Sequence, residues 1–316
     1  MEIGIYFHRD FDGLVSAALI ADYAYERWKG SIRFYPLSHG YKEKWLKSPL
    51  RGDITYVLDF AFHEGASFWF DHHQTGLEHY LGPLNKERHF FDPSKSSCAI
   101  LIWEVLYERF SYRNLNLEKL VNWADIIDGA KFSLKDLVEC KERALQIHLS
   151  LSLEADNAYL IELARLFFHY KDAILRSNLP YIVEWRFKKA REYQRQSLEK
   201  FKKIAKFDPK TGIVTFFMSR DFFYCRWAPY YVFPDCKYSL GVINTENERY
   251  MVIVNENPFS RSGKINIGKI CAHYGGGGHL GVGGINVSSL EEGQRIVGEI
   301  KALIEDALIK PKGECA

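Results

Sequence analysis

At 316 residues with 47% hydrophobic content, the chain is long enough for two ordinary domains, each with its own core. Forty-two lysines and arginines against 40 aspartates and glutamates leave a formal charge of +2, which argues against a protein that coats long nucleic acid by charge alone. Any anionic partner therefore has to be held locally. No stretch of about 18 uncharged apolar residues occurs, and Met1 to Phe7 has no basic region leading into a long apolar run, so a soluble, unexported, cytoplasmic protein without a membrane span is expected. The 6 cysteines are scattered, with no C-x-x-C pair, and read as reduced thiols.

In chain order, short runs rich in β-branched and aromatic residues alternate with amphipathic stretches. Ile3 to Phe7 reads as strand, Leu14 to Trp28 as helix, and Ile32 to Leu37, Ile54 to Phe60 and Ala66 to Phe70 as strands. This is the start of a mostly parallel α/β sheet. Ser94 to Glu108, opened by the serines after Pro93, and Leu117 to Ile127, closed by Gly129, read as helices, with more helix to about Tyr170. The charged stretch Val183 to Phe207 lacks glycine and proline and predicts one long helix. New strands follow at Gly212 to Met218, Tyr238 to Asn244 and Tyr250 to Val254, and a closing helix at Leu290 to Leu308. The expected fold class is α/β with two domains. An N-terminal domain over 1–182 is joined by a linker helix over 183–208 to a smaller C-terminal α/β domain over 209–316.

Three clusters of acidic residues and histidines fall where strands give way to loops. His8, Asp10 and Asp12 alternate directly after the first strand, Asp59 closes the run Ile54 to Leu58, and Asp71-His72-His73 closes Ala66 to Phe70. Taken singly, each has a bland explanation: an aspartate that caps a helix, a histidine pair in a core, an Asp-Gly turn. Their coincidence at three strand ends is the informative feature, because the C-terminal ends of strands in an open α/β sheet line one crevice. Carboxylates packed together there repel and take up protons unless cations neutralise them, which implies divalent metal. Mixed aspartate and imidazole ligands suit manganese, iron, cobalt or zinc better than calcium. In a fourth cluster, Asp125 and Asp128 lie three apart at a predicted helix end, where either could reach a metal.

These four clusters, in this order, resemble the motifs of the DHH phosphoesterase superfamily: His8 to Gly13 the first, Asp59 the second, Asp71-His72-His73 the name-giving third, and Asp125 the fourth. Phe259 to Ser262, followed by Gly275 to His279 and Gly283-Gly284, resembles the DHH-associated C-terminal domain. The resemblance implies two divalent ions, manganese foremost with magnesium, cobalt or iron as alternatives. Asp59 would bridge them, His8 and Asp10 would complete one, and Asp12, His72 and Asp125 the other. It assigns His73 to the phosphate or leaving oxygen and Asp71 to orienting a ligand histidine. Arg261, Ser260, Gly276, Gly277, Gly278 and His279 would hold substrate, since glycines let backbone N–H groups approach an anion and an arginine fork grips a phosphate.

The implied activity is two-metal hydrolysis of a short oligonucleotide or a small nucleotide such as 3′-phosphoadenosine 5′-phosphate. The rivals are a cyclic dinucleotide phosphodiesterase, a single-strand exonuclease of the RecJ kind, and a non-catalytic nucleotide-binding scaffold. The glycine-rich C-terminal half disfavours the superfamily's pyrophosphatases. Residues 186 to 206 carry nine basic side chains against two glutamates, either as a solvated helix face or as a track for an oligonucleotide tail aided by Trp185, Phe187 and Tyr193. A homodimer is left open, as Trp103 to Leu106 or Phe222 to Phe233 could serve a dimer as easily as a core.

Overall fold

The structure is a computed structural model that describes the chain except residues 39–44, 74, 78–79, 154–155, 219–224, 246–248 and 310–316. It divides into two compact units, Met1–Phe132 with Glu139–Ala190, and Ser133–Val138 with Arg191–Ala316.

The first unit is built on a parallel sheet of β1 (Glu2–His8), β2 (Ser31–Leu37), β3 (Ile54–Leu58), β4 (Phe68–Asp71) and β5 (His89–Phe91), in the order β2-β1-β3-β4-β5. Both faces are covered, which is why the strands read as nearly unbroken apolar runs rather than alternating ones. Ile3, Ile5, Phe7, Tyr56, Leu58 and Phe70 pack into the larger core. That core is completed by helices α1 (Phe11–Trp28), α2 (Cys98–Phe110), α3 (Glu118–Asp128) and, further along the chain, Asn157–Tyr170. The alternate positions Tyr6, Val57 and Trp69 join a second aromatic cluster with Trp45, Phe60 and Phe62 on the other face. Strand order reverses at β1, since the chain runs from β1 to β2 on one side and then crosses to β3 on the other. The pairings Phe7↔Leu58 and Leu58↔Phe70 level the C-terminal ends of β1, β3 and β4. The residues that follow those ends are His8, Asp59 and Asp71 with its two histidines.

The remaining helices are α4 (Leu134–Glu139), α5 (Arg143–Ser150), α6 (Asn157–Tyr170), α7 (Tyr181–Ile204), α8 (Ala228–Val232), α9 (Ile267–His273) and α10 (Leu290–Ile309). The second unit holds a six-stranded sheet of β6 (Lys206–Asp208), β7 (Ile213–Phe217), β8 (Tyr238–Thr245), β9 (Arg249–Glu256), β10 (Gly277–His279) and β11 (Val282–Val287), ordered β10-β11-β9-β8-β7-β6. Among these strands β7 and β8 pair in parallel, and the other neighbours are antiparallel. Ile296, Ile300 and Ile304 recur at i, i+4, i+8 along α10, and all three are buried in this unit's core. Each such side chain contributes roughly 1.5–3 kcal/mol relative to exposure.

Two details, the glycine run and Arg186, depart from the sequence reading, whereas Gly129 closes α3 as expected. The glycine run expected as an anion loop is partly strand: Gly277 and Gly278 pair with Gly284 and Gly283 in the β10–β11 hairpin. A Cβ at Gly278 would sit 2.1 Å from the Val282 carbonyl oxygen, so close backbone packing requires the glycine. Gly129 ends α3 at φ −71°, outside the left-handed region that usually makes glycine a helix stop. Arg186 is not part of a solvated basic face. Its guanidinium lies 4.3 Å from the Tyr159 ring centroid and donates to the carbonyls of Ser150 and Leu153 at 3.2 and 2.9 Å. Trp185 and Tyr193 are exposed, whereas Phe187 is buried, and Glu184–Lys188 and Glu192–Arg195 pairs neutralise part of the helix charge. Trp103 and Leu106 are core residues; the start of the stretch Phe222 to Phe233 lies outside the described residues.

The turn from β1 into α1 places the first motif. Asp10 caps the helix by accepting from the Gly13 N–H at 2.8 Å, and a Cβ on Gly13 would sit 2.2 Å from the His8 carbonyl oxygen. Gly13→Ala should therefore destabilise the protein by about 1–3 kcal/mol in urea unfolding and displace His8 and Asp10 together. Unchanged stability would show that this turn tolerates a side chain.

Candidate metal centre

Asp59 is the centre of the arrangement. It is 1% exposed and follows directly on β3, with its N–H donating to the Phe70 carbonyl at 2.9 Å. Its φ of +57° is left-handed, a conformation that costs a non-glycine residue free energy and tends to persist where surrounding contacts over-determine it. Neither carboxylate oxygen makes a hydrogen bond. Oδ2 faces His8 Nδ1 at 3.7 Å, and Oδ1 faces His72 Nε2 at 3.4 Å and His73 Nδ1 at 3.5 Å. The two oxygens thus look toward two different sets of donors.

Among the described residues, three groups of side chains bring ligand atoms within 4.8 Å of one another: His8, Asp10 and Asp59; Asp59, His72 and His73; and Asp12, His72 and Asp128. Asp59 belongs to the first two and His72 to the last two. Of the sequence-predicted ligands, His8, Asp10, Asp12, Asp59 and His72 come together. Asp125 does not. Its carboxylate is held by Lys131 Nζ at 2.7 Å and by the Ser96 hydroxyl, and this charge partnership keeps it below the usual carboxylate range despite burial. Asp128, one turn further along α3, takes its place with Oδ2 3.3 Å from His72 Nε2. The helix phase decides between the two, and sequence spacing left that phase open.

The neighbouring contacts explain how each ring and carboxylate is aimed. His72 Nδ1 lies 3.1 Å from the Lys95 carbonyl, which makes Nδ1 the donor and turns Nε2, buried and without a hydrogen bond, toward Asp59 and Asp128. Asp71, expected to orient a ligand histidine, engages His73, itself a member of one candidate group. Its Oδ1 accepts from His73 Nδ1 at 2.9 Å and from the backbone N–H groups of His72 and His73 at 2.9 and 3.2 Å. Asp12 accepts from the N–H groups of Cys98 and Ala99 at 2.6 and 2.9 Å, so the first turn of α2 fixes its plane and favours its charge. The Lys95 carbonyl, Ser96, Lys131 and the start of α2 were missed in the sequence. The serine run after Pro93 is a visible signal that by itself reads as a helix start.

The electrostatics follow from five carboxylates and three imidazoles in one place. Burial and the charges of Asp59, Asp128 and Asp10 push Asp12 well above the usual carboxylate range. Burial, Asp10 and Asp59 push Asp128 up to about 7. Burial alone would push His8 down, but Asp10 and Asp59 outweigh it and raise it to about 11; His72, opposed by burial in the same way, is raised to about 10 by Asp59, Asp12 and Asp128. Without a cation, the cluster therefore holds protons. The unpaired oxygens of Asp59, the free Nε2 of His72 and the mixed oxygen and imidazole donor set fit divalent ions of the manganese, iron, cobalt or zinc kind. Asp59, Asp12 and Asp71 form a buried floor, while Asp10, Asp128 and His73 are partly exposed at the rim.

Ser260 and Arg261 lie exposed on the loop after β9. Gly276 donates its N–H to the Cys271 carbonyl at 2.9 Å, and the backbone of His279 pairs with Val282. These residues sit in the second unit, apart in sequence from the centre in the first.

Two outcomes follow. In calorimetric titration with Mn²⁺, Asp128→Asn should weaken binding by more than the roughly 10–100-fold typical of an outer partner, and Asp125→Asn by no more than that. Because ions must displace protons held by the imidazoles and by Asp128, apparent affinity should rise between about pH 6 and 9, with protons released into the buffer. Binding without proton release would contradict the proton-holding cluster.

No protein family's sequence pattern and no curated protein sequence matches the chain. Solved structures do. The pGpG-specific phosphodiesterase PggH from Vibrio cholerae superposes with a TM-score of 0.73 at 19% identity, over 98% of this chain and 100% of that one. RecJ from Thermus thermophilus, solved in complex with Mn²⁺, gives 0.55 at 12% identity over 98% of this chain and 52% of RecJ. An exopolyphosphatase-related protein from Bacteroides fragilis gives 0.51 at 12% identity over 96% and 93% of the two chains. At these identities the likeness is one of fold.

Proposed function

We propose that the chain is a metal-dependent phosphoesterase that hydrolyses short oligonucleotides, linear dinucleotides foremost. The observation that carries this reading is the buried, left-handed Asp59, whose two oxygens lack hydrogen bonds and face separate groups of imidazole and carboxylate donors. Such a residue is costly to leave unpaired and well suited to bridging two ions. His8 and Asp10 would complete one ion's ligands, and Asp12, His72 and Asp128 the other's. Divalent ions held there supply positive charge to the phosphoryl oxygens and lower the pKa of a bound water.

The chain's own residues do the rest. Asp12, braced by α2, and Asp59, braced by its strained backbone, set the geometry of the floor. His73 has Nδ1 engaged by Asp71, and Asp71 and Asp59 raise its pKa against the effect of burial. It is therefore suited to donate a proton or hydrogen bond from Nε2 to a phosphoryl or leaving oxygen. Arg261, in the second unit, carries the planar fork suited to a phosphate, the role the resemblance assigns to it. The likeness to a pGpG-specific phosphodiesterase over the full length of both chains supports a linear dinucleotide over a long strand, while the parallel sheet and switch-point placement support a small-ligand crevice.

The deciding assay incubates the Mn²⁺-loaded protein with pGpG, other linear dinucleotides, longer single strands, cyclic dinucleotides, adenosine 3′,5′-bisphosphate and pyrophosphate. Linear dinucleotides should turn over fastest, chelation should abolish the rate, and Asp59→Asn should lower it by roughly 10³-fold or more, in the range seen when electrostatic preorganisation is lost. Near-normal turnover by Asp59→Asn would sink the two-ion reading. Preference for long strands or cyclic dinucleotides would transfer the substrate assignment to those classes.

A further inference from the structure

Glu256, the last residue of β9, is 3% exposed yet carries a carboxylate. One oxygen, Oε1, accepts three hydrogen bonds from the loop that follows: from the Ser262 N–H at 2.7 Å, the Ser262 hydroxyl at 2.7 Å and the Gly263 N–H at 3.1 Å. The other oxygen, Oε2, is buried and has no hydrogen-bond partner. The loop it grips includes Arg261 and turns at Gly263, whose φ is +62°. On the far side, the Glu256 N–H donates to the Gly281 carbonyl at 2.8 Å, tying the end of β9 to the turn between β10 and β11. Gly281 also marks where the arginine lies. A Cβ built there would be 3.6 Å from Glu256 Oε2, 3.4 Å from Arg261 Nε and 3.5 Å from Arg261 Cζ, so the guanidinium and the free oxygen flank the same glycine.

A buried carboxylate with one saturated and one bare oxygen is costly unless the bare oxygen meets a donor, and Arg261 brings a guanidinium against the same glycine without forming an ion pair with the carboxylate. Guanidinium geometry allows the pairing without using up the arginine: Nε–H can point to a carboxylate while the outer amino groups remain for a second anion. We propose that Glu256 is the positioning residue for Arg261, with Oε1 fixing the loop and Oε2 seating the Nε edge, so that the outer edge of the fork is preset for a substrate phosphate. This rests on the reading of Arg261 as the phosphate-gripping residue. Presetting lowers the ordering cost of binding.

Glu256→Gln keeps an acceptor for Ser262 and Gly263 but turns the bare oxygen into an amide nitrogen. In the full-length ¹⁵N-labelled protein, with the Arg261 Nε–H resonance assigned by its loss in Arg261→Lys, this variant should speed exchange of that hydrogen about tenfold or more. The Ser262 and Gly263 amides should stay protected and the thermal midpoint should remain close to that of the parent. Calorimetric binding of a non-hydrolysable pGpG analogue should weaken about tenfold, the scale of one charge-assisted hydrogen bond, and the loss in turnover should appear in KM rather than kcat. The Glu256→Gln, Arg261→Ala double variant should bind no more weakly than Arg261→Ala alone. An unaltered Arg261 resonance, or losses that simply add, would overturn the inference. If the parent protein neither binds nor cleaves dinucleotides, the function proposed above fails, and the exchange experiment still decides whether Glu256 holds Arg261.

Discussion

The constraint on which the rest of the first unit depends is the repulsion among aspartates gathered at the ends of three adjacent parallel strands. Two like charges about 4 Å apart repel by roughly 4 kcal/mol at an effective dielectric near 20. A domain's whole stability is only about 5–15 kcal/mol, so a few such pairs would undo the fold if they stayed ionised and unneutralised. The protein answers this in two ways. Imidazoles are interleaved with the carboxylates and hold protons well above their ordinary range, and backbone donors from α2 stabilise Asp12. What these devices leave bare is Asp59, and the orphaned oxygens at the middle of the cluster are where external positive charge gives the largest gain.

That logic also explains why so much apparently structural chemistry surrounds the site. The connection from β5 into α2 supplies a carbonyl for His72, a hydroxyl for Asp125 and two N–H groups for Asp12. Asp125 with Lys131 and Ser96 pins the end of α3, the same helix end that carries Asp128. A single loop and two helix ends therefore set most of the ligand geometry, and a change in their packing would alter the donor set without touching a ligand.

Much of this is legible in the amino-acid sequence alone. Strands at Ile3 to Phe7 and Ile54 to Phe60, the long helix after residue 180 and the closing helix all carry a clear period or a clear lack of breakers, and local pattern suffices for them. The convergence of His8, Asp59 and Asp71 needs one further step, that parallel strands put equivalent ends on one edge. What is not legible depends on orientation. The choice between Asp125 and Asp128 turns on helix phase at the end of α3, and Asp71's attachment to His73 rather than His72 turns on the path of a two-residue loop. β5, β6 and β10 are three residues each, too short for a periodic signal, and in β10 the glycines conceal a strand because they pack backbone against backbone. Arg186 looks like part of a charged surface because its sequence neighbours are charged, although a stacked tyrosine and two carbonyls bury it.

Glu256 belongs to the same class of residue as Asp59, a buried carboxylate with an unsatisfied oxygen, yet the resemblance to known motifs passes over it. The two differ in what surrounds them. Asp59 sits among other acids and imidazoles, a donor set that could hold a cation of higher charge than any side chain provides. Glu256 shares the Gly281 contact with an arginine on a loop it already grips, so the partner proposed for it lies within the chain. Reading orphaned buried oxygens by their neighbours thus separates a place where the protein needs something from outside from a place where it prepares one of its own side chains to receive it. The first marks where positive charge from outside the chain would be accepted, and the second, on the function proposed above, where an anionic substrate would be held.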